Sequence, residues 1–144
     1  MEKGGFKPVL QPFVYVGSTT LTSGSSGQIQ FQIASNFDFY MKRFSYISSC
    51  NNANSQPTFD IQFLKNEHAI FFDYTPNEVF PGRMVETSTA PHTVYQILTS
   101  PWYDFEKSFK FEAKSNILVN VRNTSGTSIT AKIVIGGFKN VMGM

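Results

Sequence analysis

Residues 115–139 read SNILVNVRNTSGTSITAKIVIGGFK, and their alternation sets the class of the whole chain. Ile117, Val119 and Val121 recur at every second position, with Leu118, Asn120 and Arg122 between them. After a polar interval the pattern resumes with Ile129, Ala131, Ile133 and Ile135, alternating with Thr130, Lys132 and Val134. A period of two is the signature of a strand with one buried face. The interval Asn123–Thr127 is small, polar and contains Gly126, which fits a hairpin loop. The stretch therefore predicts a β-hairpin that needs a sheet to join and a second layer to cover its apolar face. Leu118 and Val134 interrupt the polar face, and Gly136-Gly137 is expected to end the last strand and let Phe138 turn inward.

The same alternation recurs along the chain. Ile29, Phe31 and Ile33 alternate with Gln28, Gln30 and Gln32, and Phe59, Ile61 and Phe63 with Asp60 and Gln62. The uncharged glutamine face is either an ordinary solvated surface or one that meets another protein. In Asn36–Ser48 no single register is clean, and a bulge near Lys42-Arg43 would switch the apolar face from one set to the other. Pro8 to Val16 reads as an extended edge segment, because Pro8 and Pro12 would each remove a ladder donor from a central strand. Gly17–Gly27 reads as a solvated Gly/Ser/Thr loop, and Ser49–Pro57 as a polar loop. Short strands are expected at Ala69–Tyr74 and Met84–Thr89. Val94–Leu98 is a strand or one turn of helix, and Ser108–Ala113 a strand before the closing pair. Asn66–His68 and Thr75–Arg83, with its Pro81-Gly82, carry turn chemistry.

Eight to ten short strands with no sustained helical periodicity define an all-β chain. The expected form is a single antiparallel β-sandwich, jelly-roll-like, over residues 8–144, preceded by a flexible arm over residues 1–7. A chain of 144 residues is long enough to bury a real core. Charge is sparse, with 12 Lys+Arg against 10 Asp+Glu and no basic cluster, so nucleic acid is not an expected partner. No run approaches the length of a membrane span, so no membrane is expected either. Aromatic residues reach 15%, including 15 Phe, which suits strands and large contact surfaces.

Chemistry is harder to find. There is one cysteine, Cys50, so no intrachain disulfide and no Cys-rich metal site can form. His68 and His92 lack metal-ligand spacing, the aspartates are scattered, and no Gly-x-Ser-x-Gly elbow is present. Gly136-Gly137 follows a strand but opens no helix, so phosphate-loop mechanisms do not apply. Asn123-Thr124-Ser125 formally matches a glycosylation sequon. The expectation is a non-enzymatic protein with no cofactor. What remains is recognition, for which loop aromatics and arginine are the best markers. Trp102 and Tyr103 after Pro101, Phe80 with Arg83 around Pro81-Gly82, and Phe6 and Pro8 of the N-terminal segment are the candidate partner-binding residues. Trp102 either stands exposed or caps one end of the core. A Trp-Tyr pair at a proline corner also suits stacking on a sugar ring, so a carbohydrate- or receptor-binding module is the alternative class.

The pattern as a whole resembles a known group. Phe31-Gln32-Ile33 leads to Asn36-Phe37-Asp38-Phe39, and Phe59-Asp60-Ile61 follows. Pro101-Trp102, Val119-Asn120-Val121-Arg122-Asn123 and the closing Ile133-Val134-Ile135-Gly136-Gly137-Phe138-Lys139 complete it. From about Val14 to Lys139 this is similar to small β-sandwich virion proteins of tailed bacteriophages, of the decoration, minor-capsid or head-fibre kind. The resemblance implies a building block present in many copies, a homo-oligomer bound to other virion proteins. It also implies location in the virion after assembly in the host cytoplasm. It carries no defined binding residues across to this chain.

Overall fold

The computed structural model describes residues 8–50, 57–65, 68–69, 75–77, 80, 82–89 and 93–142. The strands are β1 (Pro8–Leu21), β2 (Ser26–Gln32), β3 (Asp38–Cys50), β4 (Phe59–Lys65), β5 (His68–Ala69) and β6 (Thr75–Pro76). They continue with β7 (Arg83–Thr89), β8 (Thr93–Thr99), β9 (Tyr103–Phe111), β10 (Asn116–Asn123) and β11 (Ile129–Met142). They form two antiparallel sheets. One runs β1-β11-β3-β8-β7, with β9 also paired to β3. The other runs β2-β10-β4-β5, with β6 also paired to β4.

The order has a simple logic. The first strand pairs with the last, the second with the next to last, and β3 and β4 with the strands that lie between. A chain paired in this way is one long hairpin rolled across two layers, which is the double-sheet jelly roll. The expected all-β sandwich is the fold observed.

The hairpin expected at residues 115–139 is not. β10 lies in the five-stranded sheet between β2 and β4, while β11 lies in the six-stranded sheet between β1 and β3. The polar interval crosses between layers instead of turning within one. Its apolar faces meet across the core: Ile117, Val119 and Val121 on one side, Ile129, Ala131, Ile133 and Ile135 on the other, all essentially inaccessible. Burial of each large aliphatic side chain contributes roughly 1.5–3 kcal/mol, and stacking the two faces buries both at once. Leu118 and Val134, half-buried, sit on the outer faces of different sheets.

The loop expected over Gly17–Gly27 is also shorter than it reads. β1 continues to Leu21 in register with Ile129, and Thr20 Oγ1 lies 3.0 Å from Thr130 Oγ1. Threonine's branched Cβ suits a pleated surface, so the Thr-rich half holds as strand. The turn proper is Thr22–Ser25, closed by Ser25 N–H donating to Thr22 O at 3.1 Å, with Gly24 at φ 76°. β1 lies at the edge of its sheet, as its prolines require.

The predicted bulge is present. β11 pairs Gly136 with Arg43 but Gly137 with Met41, so Lys42 is the extra residue. Phe39 and Met41 face the core before it, and Phe44, Tyr46, Ser48 and Cys50 after it. Gly136-Gly137 does not end β11. The strand runs on to Met142, and Phe138 points to the outer face, opposite Tyr40 and Pro12. The Lys42 ammonium crosses to β9 and donates to the carbonyls of Phe105 and Glu106, where the β3–β9 ladder is interrupted. Val94–Leu98 resolves as strand, within β8. The expected arm, most of Ser49–Pro57 and most of Ala69–Tyr74 lie outside the described residues.

Aromatic side chains fill the core. Phe39, Phe44, Tyr46, Phe59, Phe63 and Phe111 are fully buried. Phe44 contacts Phe63 edge-on at 5.1 Å and Tyr46 contacts Phe59 at 5.2 Å. Burial is the main influence on the Tyr15 and Tyr46 hydroxyls and pushes both above the ordinary value of 10.0. The folded chain thus holds these protons more tightly than the unfolded chain does. These two hydroxyls leave stability unchanged with pH below about 10 and lower it as pH rises beyond that, because unfolding then releases protons. Urea unfolding at pH 8 and pH 11 checks this, and Tyr46→Phe is expected to flatten the alkaline fall.

Candidate functional site: the outer face of the six-stranded sheet

The two outer faces differ in chemistry. On the five-stranded sheet polar groups satisfy one another. Gln28 Nε2 donates to Asn120 Oδ1 at 2.9 Å, Asn120 Nδ2 donates to Gln62 Oε1 at 3.0 Å, and Gln30 Nε2 donates to Asn116 Oδ1 at 3.1 Å. Beside them, Arg122 Nε and Nη2 both donate to Asp60 Oδ2, at 3.0 and 2.5 Å. Gln28 and Gln30 of the glutamine face thus join a cross-strand amide ladder while remaining exposed to solvent.

The six-stranded sheet presents apolar groups instead. Leu10, Val14 and Val16 are 58%, 48% and 59% exposed. Their outward row includes Pro12 and continues onto β11 through Val134, which pairs with Val16, and Phe138, which pairs with Pro12. Ile47 adds a further exposed apolar group on β3. Beside this row is an open groove of about 690 Å³, lined by Leu10, Tyr40, Phe138, Lys42, Glu106 and Asn140 among others. A contiguous apolar area of this kind is what marks an interaction surface, whereas single exposed aliphatic residues need no explanation.

Trp102 belongs to this face. It is 41% exposed. Its ring lies on Gly136, where an added Cβ would come within 3.1 Å of the indole. The Arg43 guanidinium carbon sits 5.2 Å from the ring centroid. One side of the indole is therefore held by the sheet and by a cation–π contact, and the rest faces solvent. The geometry resolves the two readings of Trp102 in favour of exposure.

The other sequence candidates are placed differently. Tyr103 opens β9, turns inward and packs on Phe44 and Phe80, with centroids 5.9 and 5.3 Å away. Burial raises its hydroxyl pKa. Trp102 and Tyr103 therefore do not form a shared flat platform. Phe80 closes the end of the core, edge-on to Phe44 at 4.9 Å, while its carbonyl accepts the Tyr46 hydroxyl at 2.5 Å. Arg83 is exposed at the start of β7, the far edge of the sheet from β1. Pro8 begins β1, paired with Met142. Phe6 lies outside the described residues. So Phe80 and Tyr103 come together, as packing, and Trp102 joins a surface made by residues not singled out from sequence. The available signal was in β1, where aromatic Phe13 and Tyr15 take one parity and aliphatic Leu10, Val14 and Val16 the other: a strand apolar on both faces.

Cys50 is buried and takes part in no disulfide. Asn123 of the sequon is buried with both amide hydrogens engaged. Among the described residues no group of three or more His, Cys, Asp or Glu side chains is arranged to hold a metal ion.

No protein-family model matches the chain, and no curated protein matches it. Among solved structures, a chain of a Nora virus structure is similar over 96% of this chain, at 10% identity and a TM-score of 0.34. This chain spans 61% of that chain's length. Similarity at that level does not bear on activity or partners.

Proposed function

We propose that this chain is a non-enzymatic virion building block that assembles in multiple copies with other virion proteins. The kind we have in mind is that of tailed-bacteriophage particles, put together in the host cytoplasm. The observation that carries the reading is the contrast between faces. One sheet presents polar side chains outward, several of them hydrogen-bonded to one another, and the other leaves Leu10, Val14, Val16, Phe138 and Trp102 facing outward. Such a surface is stabilised by being covered, at roughly 25 cal/mol for each Å² of apolar area removed from water. The double-sheet jelly roll occurs in viral capsid domains and in lectins, so the fold accommodates this role and the surface chemistry argues for it.

The test is a charge placed where it harms only a contact. Val16→Lys, on the solvent side of β1, is expected to change folding stability by no more than about 0.5 kcal/mol. It should weaken incorporation into particles at least tenfold. Full incorporation of the variant would remove this face from the assembly contact. As the chain's single tryptophan, Trp102 gives a second readout: its emission is expected to shift to the blue on assembly.

The groove favours a second reading, a carbohydrate- or receptor-binding module. Tyr40 and Phe138 offer ring surface, and Glu106, Ser108 and Asn140 offer hydrogen-bonding groups at its rim. Glycan-array binding that is lost in Tyr40→Ala would favour that reading, and silence across the array would remove it.

A further inference from the structure

Among the described residues β1 has a neighbour on one side only, β11. Its other edge is a row of backbone donors and acceptors 14 residues long. Edges of that kind are normally blunted by charged side chains, by proline, by bulges or by shortness. From Pro8 to Leu21 this strand carries no charged residue at all. Its protection is proline alone, and both prolines lie in its first half.

The prolines also show which groups face outward. A proline is accommodated in an edge strand where its nitrogen points away from the neighbouring strand. Pro8 and Pro12 share one parity, so the even-numbered positions direct their backbone groups away from β11. At that free edge Pro8 and Pro12 offer no N–H. Val14, Val16, Ser18 and Thr20 each offer one, together with a carbonyl. The strand is thus closed to pairing up to Pro12, open from Val14 to Thr20, and ended by the turn that begins at Thr22.

We infer that two copies of this chain join edge to edge through Val14–Thr20 of β1, antiparallel about a two-fold axis at Gly17. The merged object is one continuous sheet built from two six-stranded ones. The open window is centred on Gly17, so self-pairing places Val14 opposite Thr20 and Val16 opposite Ser18 of the second copy. In that register Pro12 falls opposite Thr22, where the strand has already turned away, so the proline blocks nothing. Every paired side chain is uncharged. No like charges meet, and the β-branched residues are those that pair well across strands. A single self-complementary strand satisfies both copies at once, as a two-fold interface requires. Pairing would also join the exposed Leu10, Val14 and Val16 rows of the two copies into one surface. The inference deepens the assembly reading and rests on it for its purpose, since it names the chain's own copy as one of the contacts.

Sedimentation of the full chain across a range of concentrations, with amide hydrogen exchange in parallel, tests it. The expected result is a dimer. Protection of the Val14, Val16, Ser18 and Thr20 amides should rise with concentration, while core amides such as that of Ile133 do not change. Ser18→Pro removes one edge donor and leaves the β11 side of the ladder intact, as Pro12 does naturally. It is expected to weaken dimerisation at least a hundredfold. A strict monomer with freely exchanging edge amides would overturn the inference, and so would a folded Ser18→Pro variant that dimerises unchanged. If Ser18→Pro does not fold, the exchange pattern of the unmodified chain still decides. A monomer that enters particles would sink this inference and spare the virion reading. A dimer that never enters particles would do the reverse.

Discussion

Replacing Gly137 with alanine is expected to cost at least about 3 kcal/mol of stability, near the upper end of what inserting atoms into a packed interior does. The reason is backbone, not side chain. At the bulge, β11 passes so close to β3 that a Cβ on Gly137 would collide with the Tyr40 carbonyl oxygen, and it would lie 2.9 Å from the Tyr40 carbonyl carbon and 3.1 Å from the Lys42 nitrogen. None of these atoms can rotate away. The bulge itself cannot shift either, because it sets which face of β3 meets the core: Phe39 and Met41 before it, Phe44 and Tyr46 after it. A one-residue slip would turn half of that set to solvent. In a protein of this length, 3 kcal/mol corresponds to a fall in melting temperature of roughly 10 °C. Gly136→Ala is the control. Its Cβ would meet the Trp102 ring at 3.1 Å, and an exposed side chain can move. The expected loss is about 1 kcal/mol or less, with Trp102 displaced towards solvent. Thermal unfolding of the two variants side by side checks the contrast. Equal losses would show that Gly137 is not held by the backbone of β3.

The second large effect is expected at Asn123. This residue ties together two of the places where the chain crosses between sheets, β1 to β2 and β10 to β11. Its amide nitrogen donates to Leu21 O at 3.0 Å and to Thr127 O at 2.8 Å, and its amide oxygen accepts from Ser125 N at 2.8 Å and Ser125 Oγ at 2.6 Å. Its own backbone donates to Ser25 O at 2.9 Å and accepts from Gly24 N at 3.2 Å. The β1–β2 and β10–β11 crossings are therefore held against each other by one side chain that is 2% exposed. Truncation to alanine leaves buried carbonyl and amide groups without partners, at about 1–3 kcal/mol each, and the total expected is roughly 3–4 kcal/mol. Asn123→Asp separates hydrogen bonding from packing. A carboxylate would face the Leu21 and Thr127 carbonyls, so the variant is expected to be at least as unstable as the alanine at pH 7. The buried carboxyl would titrate above its unfolded value, and stability should recover as pH falls through that raised pKa. Denaturant unfolding at pH 7 and pH 4 reads this out. A loss at pH 7 with no recovery at pH 4 would mean that the donors of Asn123 are not what matters.

These two residues also mark where the sequence was legible and where it was not. Alternation reports which side of a strand is buried. It placed the inward sets of β2, β4, β10 and β11, and its failure at Lys42-Arg43 pointed to the bulge. Alternation does not report which strands pair. Five polar residues with a glycine between two strands suit a hairpin and an interlayer crossing equally well. The choice is made by long-range terms: the matched 14-residue lengths of β1 and β11, and the buried polar joint at Asn123. The outer apolar face escaped notice for a related reason. Leu10, Val14 and Val16 look like core residues until the same strand's Phe13 and Tyr15 are seen to occupy the core side. Trp102 was legible as a contact candidate, but its sequence position left exposure and capping of the core equally open until Gly136 and Arg43 were seen to hold its ring on the outer face. The same choice was open for Tyr103 and Phe80, since whether a loop aromatic turns in or out depends on Phe44, which lies far away in sequence.

For a chain proposed to work by assembly into a particle, the composition of the particle is decisive. Virus particles would be purified by density gradient from the cells that produce the chain, and the chain would be quantified in them by mass spectrometry. The chain is expected to co-sediment with intact particles in many copies per particle. Recovery of the chain wholly in the soluble fraction, with none in the particles, would contradict it.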